Sequence, residues 1–167
     1  MELRPFRSAR NTILEIGCGT GDLLKDGWQV FGSEVSLSAI KQMQNRNIDN
    51  LEINLDNYSE KDSYDVILLF EVIEHVQDPI ALIDFCFRNL RKGGVLYGTT
   101  PNSRSLNSRI LGPKWSIYGL PEHLTVFSPL QLQRAFRKIG FEKNRVVTKG
   151  LNPFDIIQVF ALPRKFS

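Results

Sequence analysis

The stretch Ile13-Leu-Glu-Ile-Gly-Cys-Gly-Thr-Gly-Asp22 decides how the chain is read. A strand pattern, Thr12 to Ile16, runs straight into glycines at alternate positions, Gly17, Gly19 and Gly21. Glycine tolerates positive φ and lets a ligand approach a backbone without a Cβ. A helix expected to begin near Thr20 would turn its free N–H groups toward that ligand. A dinucleotide fingerprint needs G-x-G-x-x-G, but the position three after Gly19 is Asp22, so that pattern fails.

The acidic Glu15 just ahead of the glycines suits a cationic ligand better than a pyrophosphate. S-adenosylmethionine carries a sulfonium and an ammonium, and its carboxylate can take the loop N–H groups. The plain alternative, an ordinary turn, leaves the acidic residue unexplained.

Outward from this loop, strand-like and helix-like segments alternate, as in a parallel α/β sheet. Strands are predicted at Thr12–Ile16, Gln29–Ser33, Leu51–Asn54, Tyr64–Phe70, Gly94–Thr100, Arg145–Lys149 and Ile156–Leu162. Tyr64–Phe70 is nearly all apolar, as a central strand buried on both faces should be. Leu37, Ile40 and Met43 share one helix face. Ile80, Ile83, Phe87 and Leu90 share another, with Pro79 in the first turn and Gly93-Gly94 as the stop. Leu132, Ala135, Phe136 and Ile139 form a third stripe between Ser128-Pro129 and Gly140. The expected fold is a single Rossmann-like domain over 1–167, with a seven-stranded, mostly parallel sheet and helices on both faces. Residues 101–128 fit no periodic template and form an irregular insertion. It leaves the C-terminal end of a strand, the edge where open α/β sheets bind ligands. Trp115 and Tyr118 within it either wall an acceptor pocket or cap the core.

A chain of 167 residues suits one core. Its longest apolar run, Val66 to Phe70, falls far short of the ~20 residues a spanning helix needs. The charged start Met1-Glu-Leu-Arg-Pro-Phe-Arg leads into no apolar signal core. Cys18 and Cys86 form no CxxC pair, so no disulfide framework is expected and a cytoplasmic location fits. With a net charge of +3, the basic clusters Arg88, Arg91, Lys92 and Arg134, Arg137, Lys138 read as solvated helix faces; no nucleic-acid partner is expected.

ILEIGCGTGDLL resembles motif I of class I S-adenosylmethionine-dependent methyltransferases. Phe31-Gly-Ser-Glu-Val-Ser36 resembles the end of that family's second strand. Tyr64-Asp-Val-Ile-Leu-Leu-Phe-Glu-Val-Ile-Glu-His-Val76, with Asp78-Pro79, resembles its fourth strand and following loop. Pro121-Glu-His-Leu-Thr-Val-Phe-Ser128 resembles a subgroup that includes ubiquinone-type O-methyltransferases. The resemblance implies that Glu15, Gly17, Cys18, Gly19 and Gly21 cradle the methionine part of the cofactor. It places Glu34 on the ribose beside Val35, Asp56 near the adenine, and Phe70 and Glu71 flanking the cofactor. Cys18 is expected to be a small filler of the loop, not a nucleophile.

The family's chemistry is an in-line displacement in which the protein mainly aligns the reactants. A hydroxyl acceptor also needs a base, and His123, at the end of the insertion, is the candidate. Glu71, Glu74 and His75 would share one face if their segment were helical, and some relatives hold a metal with such a cluster. The plainer reading is a loop fixed by hydrogen bonds, and no metal is expected. The expected function is methyl transfer to an oxygen of a small molecule. The alternative is a degenerate module that works with a partner chain, since only five residues separate Gly21 from Gly27 and about eleven precede the first strand.

Overall fold

The computed structural model describes residues 12–22, 29–48, 50–53, 63–149 and 156–163. The elements along the chain are β1 Thr12–Ile16, β2 Gln29–Ser33, α1 Leu37–Asn45, β3 Tyr64–Phe70, α2 Pro79–Asn89, β4 Leu90–Pro101, α3 Leu106–Leu111, α4 Pro129–Ile139, β5 Phe141–Lys149 and β6 Ile156–Pro163. Six strands form one sheet in the order β2-β1-β3-β4-β6-β5. β1 through β4 are mutually parallel, whereas β6 runs antiparallel to both β4 and β5.

The apolar run of β3 is central because both of its faces are covered. Ile67 and Leu69 enter a core with Leu14, Leu96, Val159 and Ala161 beneath α2 and α4. Val66 and Leu68 join Ile13 on the opposite face. On that second face α1 sends Met43 against Cys18, 3.7 Å between their sulfurs. α4 starts at a full capping box, Ser128 with Gln131, and stops at Gly140, whose φ is 121°. At the lower end of the sheet, Asp65 accepts from the Thr12 N–H and hydroxyl and from Arg91, fastening β1, β3 and β4 together.

Three sequence expectations need correction. The predicted strand Leu51–Asn54 is not a strand over its described residues; a single parallel bridge, Gly32 to Asn50, marks where it would extend the sheet. Six strands are therefore present among the described residues where seven were predicted. α2 ends at Asn89, not at the glycine pair, because Leu90 is already extended, with φ −76° and ψ 132°. Gly93 and Gly94 lie inside β4, opposite a register shift in β3, and Arg91 and Lys92 are strand residues, not part of a helix face. Finally, residues 19–22 form turns, so no helix begins at Thr20 within the described stretch.

Candidate cofactor and acceptor site

The site forms at the C-terminal ends of β1, β2 and β3. Gly17, Gly19 and Gly21 all have positive φ (69°, 56° and 75°), the backbone the alternate spacing implied. At Gly17 a Cβ would lie 2.6 Å from Cγ2 of Val72, so glycine is also needed for space. The loop is held by Gly17 N–H and Cys18 N–H donating to the Ser33 carbonyl. At its far end, Arg46 donates to the Thr20 carbonyl at 2.6 Å and pairs with Asp22 at 2.8 Å.

Glu34 follows β2 and gathers the loop around its carboxylate. Oε2 accepts from Gly19 N–H at 2.8 Å, and Oε1 accepts from Val35 and Ser36 N–H at 2.7 and 2.9 Å. Its backbone is fixed by the Asn50 side chain, which accepts from Glu34 N–H and donates to the Glu34 carbonyl. A carboxylate has about four acceptor positions, so Glu34 keeps capacity for a ligand hydroxyl.

Glu15 is the opposite case. Its side chain is buried beneath the loop, and Oε2 has no hydrogen-bond partner among the described residues. Burial, with the neighbouring Asp22 charge, pushes its carboxyl up to about 7 from an ordinary 4.5. A buried acceptor with no donor is costly unless a ligand supplies one.

A cleft of about 350 Å³ opens here, lined by Ile16, Gly17, Ser33, Glu34, Val35, Glu71, Val72, His75 and Val76. Gly17, Glu34, Val35 and Glu71, all expected beside the cofactor, thus share one cavity. Ser33, Val72 and Val76 were not expected there; they are wall residues, and nothing in their chemistry marks them in a sequence. Cys18 turns inward, where burial pushes its thiol up to about 11, as fits a filler. Phe70 packs edge-on against Tyr97 and does not line this cleft. Asp56 lies outside the described residues.

Past β3 the chain turns sharply. Glu71 takes a positive φ of 51°, rare for a side chain with a Cβ, while its N–H donates to the Thr99 carbonyl. The segment is therefore a turn, not a helix, although the carboxyls of Glu71 and Glu74 still lie beside each other. Glu71 and His75 look into the cleft, whereas Glu74 is fully buried and accepts from the Thr100 hydroxyl. Burial, and the Glu71 charge beside it, push the Glu74 carboxyl up to about 8.

The insertion returns to this turn. Leu124 and Thr125 N–H donate to the Glu74 carbonyl, which brings His123 to His75 with ring centroids 4.7 Å apart. Each histidine has its Nδ1 on a backbone carbonyl, Glu122 for His75 and Ile117 for His123, both at 2.9 Å. A carbonyl only accepts, so each Nδ1 is the donor, and in the neutral ring the lone pair is on Nε2. Glu74, His75 and His123 place one ligand atom each within 4.8 Å of one another.

Residues 1–146 match the profile of a family described as "Methyltransferase domain". The chain belongs to that family. The methyltransferase is 27% identical to the ubiquinone biosynthesis O-methyltransferase of Nitrosomonas europaea, over 92% of this chain and 72% of that protein. It is 30% identical to the protein of the same name from Idiomarina loihiensis, over 92% and 69%. Its fold matches a Thermotoga maritima S-adenosylmethionine-dependent methyltransferase, described as a possible histamine N-methyltransferase, with a TM-score of 0.71 and 22% identity over 92% and 82% of the two chains. It also matches the magnesium protoporphyrin IX methyltransferase of Synechocystis with bound SAH, with a TM-score of 0.70 and 15% identity over 91% and 74%.

The protein is a methyltransferase with S-adenosylmethionine as its cofactor, and the cavity fits that group. Gly17 and Glu34, a carboxylate with spare acceptor capacity, line it, and the rest of the positive-φ glycine run and the donorless buried Oε2 of Glu15 lie at the same strand end. The non-catalytic alternative is not favoured. Among the described residues no helix is long and apolar enough to cross a membrane.

Proposed function

We propose that this methyltransferase acts on an oxygen of a small-molecule acceptor, with His123 as the base that takes the acceptor proton. The carrying observation is the bond from Nδ1 of His123 to the Ile117 carbonyl, which puts the lone pair of the neutral ring on Nε2, in a ring 4.7 Å from that of the cleft-lining His75. The O-methyltransferase names of the curated relatives support an oxygen acceptor.

When bound, S-adenosylmethionine supplies an electrophilic methyl carbon on a sulfonium. The chain's own residues position and protect. Gly17, Cys18, Gly19 and Gly21 form the loop that admits the methionine portion, and Glu15 supplies the carboxylate for its ammonium. Glu34, with Val35 beside it, takes a ribose hydroxyl. Glu71 flanks the group in the cleft, while Phe70, which packs against Tyr97 outside it, and Asp56 are assigned to the cofactor from the resemblance alone. His123 then holds the proton released by the acceptor hydroxyl. The whole chain, 1–167, is read as one methyltransferase domain whose insertion, 101–128, forms the acceptor side. Two buried cysteines that form no disulfide fit a cytoplasmic location.

The test is an incubation with S-adenosylmethionine carrying a labelled methyl group and a panel of phenols, catechols and amines. Label on a phenolic oxygen, lost in His123→Ala while S-adenosylhomocysteine binding persists, supports the reading. Label only on amines, or full activity of His123→Ala, overturns it.

A further inference from the structure

The glycine loop is tied to β2 and α1 at three levels. Gly17 and Cys18 N–H donate to the Ser33 carbonyl, Gly19 N–H donates to the Glu34 carboxylate, and Arg46 takes the far end. Arg46 is the C-cap of α1, and its N–H donates to the carbonyl of Met43, a side chain fully buried against Cys18. A single nitrogen of Arg46, Nη1, donates to the Thr20 carbonyl at 2.6 Å and to Oδ1 of Asp22 at 2.8 Å. The Thr20 hydroxyl closes the ring by donating to Oδ2 of Asp22 at 2.9 Å. The segment through α1 thus brings a carboxylate to Gly19 at its start and a guanidinium to Thr20 at its end.

A partly exposed ion pair is by itself worth little. The place of this one gives it more weight. The Asp22 charge acts on Glu15, the buried carboxyl whose Oε2 has no donor among the described residues. The charged or titratable groups gathered at the loop are Glu15, the Cys18 thiol, Asp22, Glu34 and Arg46, and Arg46 is the cation among them. We propose that Arg46 is a positioning residue for the cofactor. It holds the glycine loop in the shape that receives the methionine portion of S-adenosylmethionine, and it balances Asp22 so that the Glu15 carboxylate is left to the ligand ammonium. This role rests on Glu15 as the partner of that ammonium. Arg46 does not line the cleft, so its effect reaches the ligand through Thr20 and Asp22. A loop that samples several shapes binds with an affinity lowered by the fraction in the competent one. A cation on Asp22 likewise weakens the negative field at Glu15.

The test is calorimetric titration of the full chain with S-adenosylhomocysteine from pH 6 to pH 8.5, beside urea unfolding. Arg46→Gln should weaken binding about fivefold at pH 8.5. It should also raise the pH below which affinity falls, which lies near 7 in the wild type. Adding Asp22→Asn should bring that pH back down but leave the loss at pH 8.5, because the Thr20 carbonyl still lacks its donor. Arg46→Lys should stay within about twofold of wild type, since both bonds come from one nitrogen that an ammonium can replace. Unchanged affinity in Arg46→Gln, an unmoved pH dependence, or Arg46→Lys as impaired as Arg46→Gln overturns the proposal. So does a loss of stability in Arg46→Gln with affinity and pH dependence intact, the mark of a purely structural bond. No binding by the wild-type chain overturns the cofactor site itself, and this role with it.

Discussion

Glu15→Gln should reveal a carboxyl that the fold holds at a cost until a ligand arrives. In the folded chain Glu15 titrates near 7 instead of 4.5, because burial and then the Asp22 charge disfavour its ionised form. The sign comes from linkage. Below pH 4.5 the group is protonated in both states and adds nothing. As pH rises from 4.5 to 7 the unfolded chain ionises first, so folding becomes progressively less favourable; above 7 the penalty is constant. At about 1.4 kcal/mol per pH unit, that window amounts to roughly 3 kcal/mol. Other groups titrate in the same range, so the quantity to measure is the stability difference between Glu15→Gln and wild type. Urea unfolding at pH 4.5, 5.5, 6.5, 7.5 and 8.5 should show the variant gaining on the wild type by about 3 kcal/mol up to pH 7.5, then levelling. A difference that stays within 0.5 kcal/mol across the series would refute an isolated, buried Glu15.

The same carboxyl should make cofactor binding pH-dependent. Below pH 7 the affinity for S-adenosylhomocysteine should fall by up to tenfold per pH unit in the wild type, with proton release detectable by titration in buffers of different ionisation enthalpy, and Glu15→Gln should lose that slope. Gly17→Ala must hold a Cβ at a φ of 69° with Cγ2 of Val72 only 2.6 Å away. A stability loss of about 2–4 kcal/mol and loss of ligand binding are expected, read by urea unfolding and calorimetry. Retention of both would mean that the loop is slack. His123→Asn should lower kcat by about 10²–10⁴ with ligand affinity unchanged, as steady-state kinetics beside calorimetry would show.

Much of this was legible in the chain because it depends on local chemistry. β1 and β3 coincide with mostly apolar stretches that end at glycine or at a polar residue, β2 is the mixed segment Gln29–Ser33, and the bounds of all three match the reading. The Ser128–Gly140 punctuation likewise delimits α4. Boundaries failed where distant partners decide. Gly93 and Gly94 read as a helix stop, but β4 needs them to pass the irregular register beside β3; a Cβ on Gly94 would lie 3.0 Å from the Asp65 carbonyl. Leu51–Asn54 has strand character, yet its described residues lie beyond the edge strand β2, and Leu51 gives one hydrogen bond to Gly32.

The site divides the same way. Glycine spacing, Glu15 and Glu34 announce a cofactor cavity, since a short polar motif beside a strand end has few other uses. The meeting of His75 and His123 is set by the return of the insertion onto the Glu74 carbonyl, a contact that no spacing encodes. The turn at Glu71 replaces the helix that the spacing of Glu71, Glu74 and His75 invited. Glu74 lies inward of that turn, where burial raises the pKa of its carboxyl.

Glu34 organises the cofactor cavity, and calorimetric titration of the wild-type chain and Glu34→Gln with S-adenosylhomocysteine is the decisive measurement of that role. Glutamine keeps one oxygen but cannot hold Gly19, Val35 and Ser36 N–H together and still receive a ribose hydroxyl. The loss of charge-assisted bonds should weaken binding by roughly 10–100-fold from a micromolar wild-type value. Equal affinity of the two proteins, or no binding by the wild type, would contradict it.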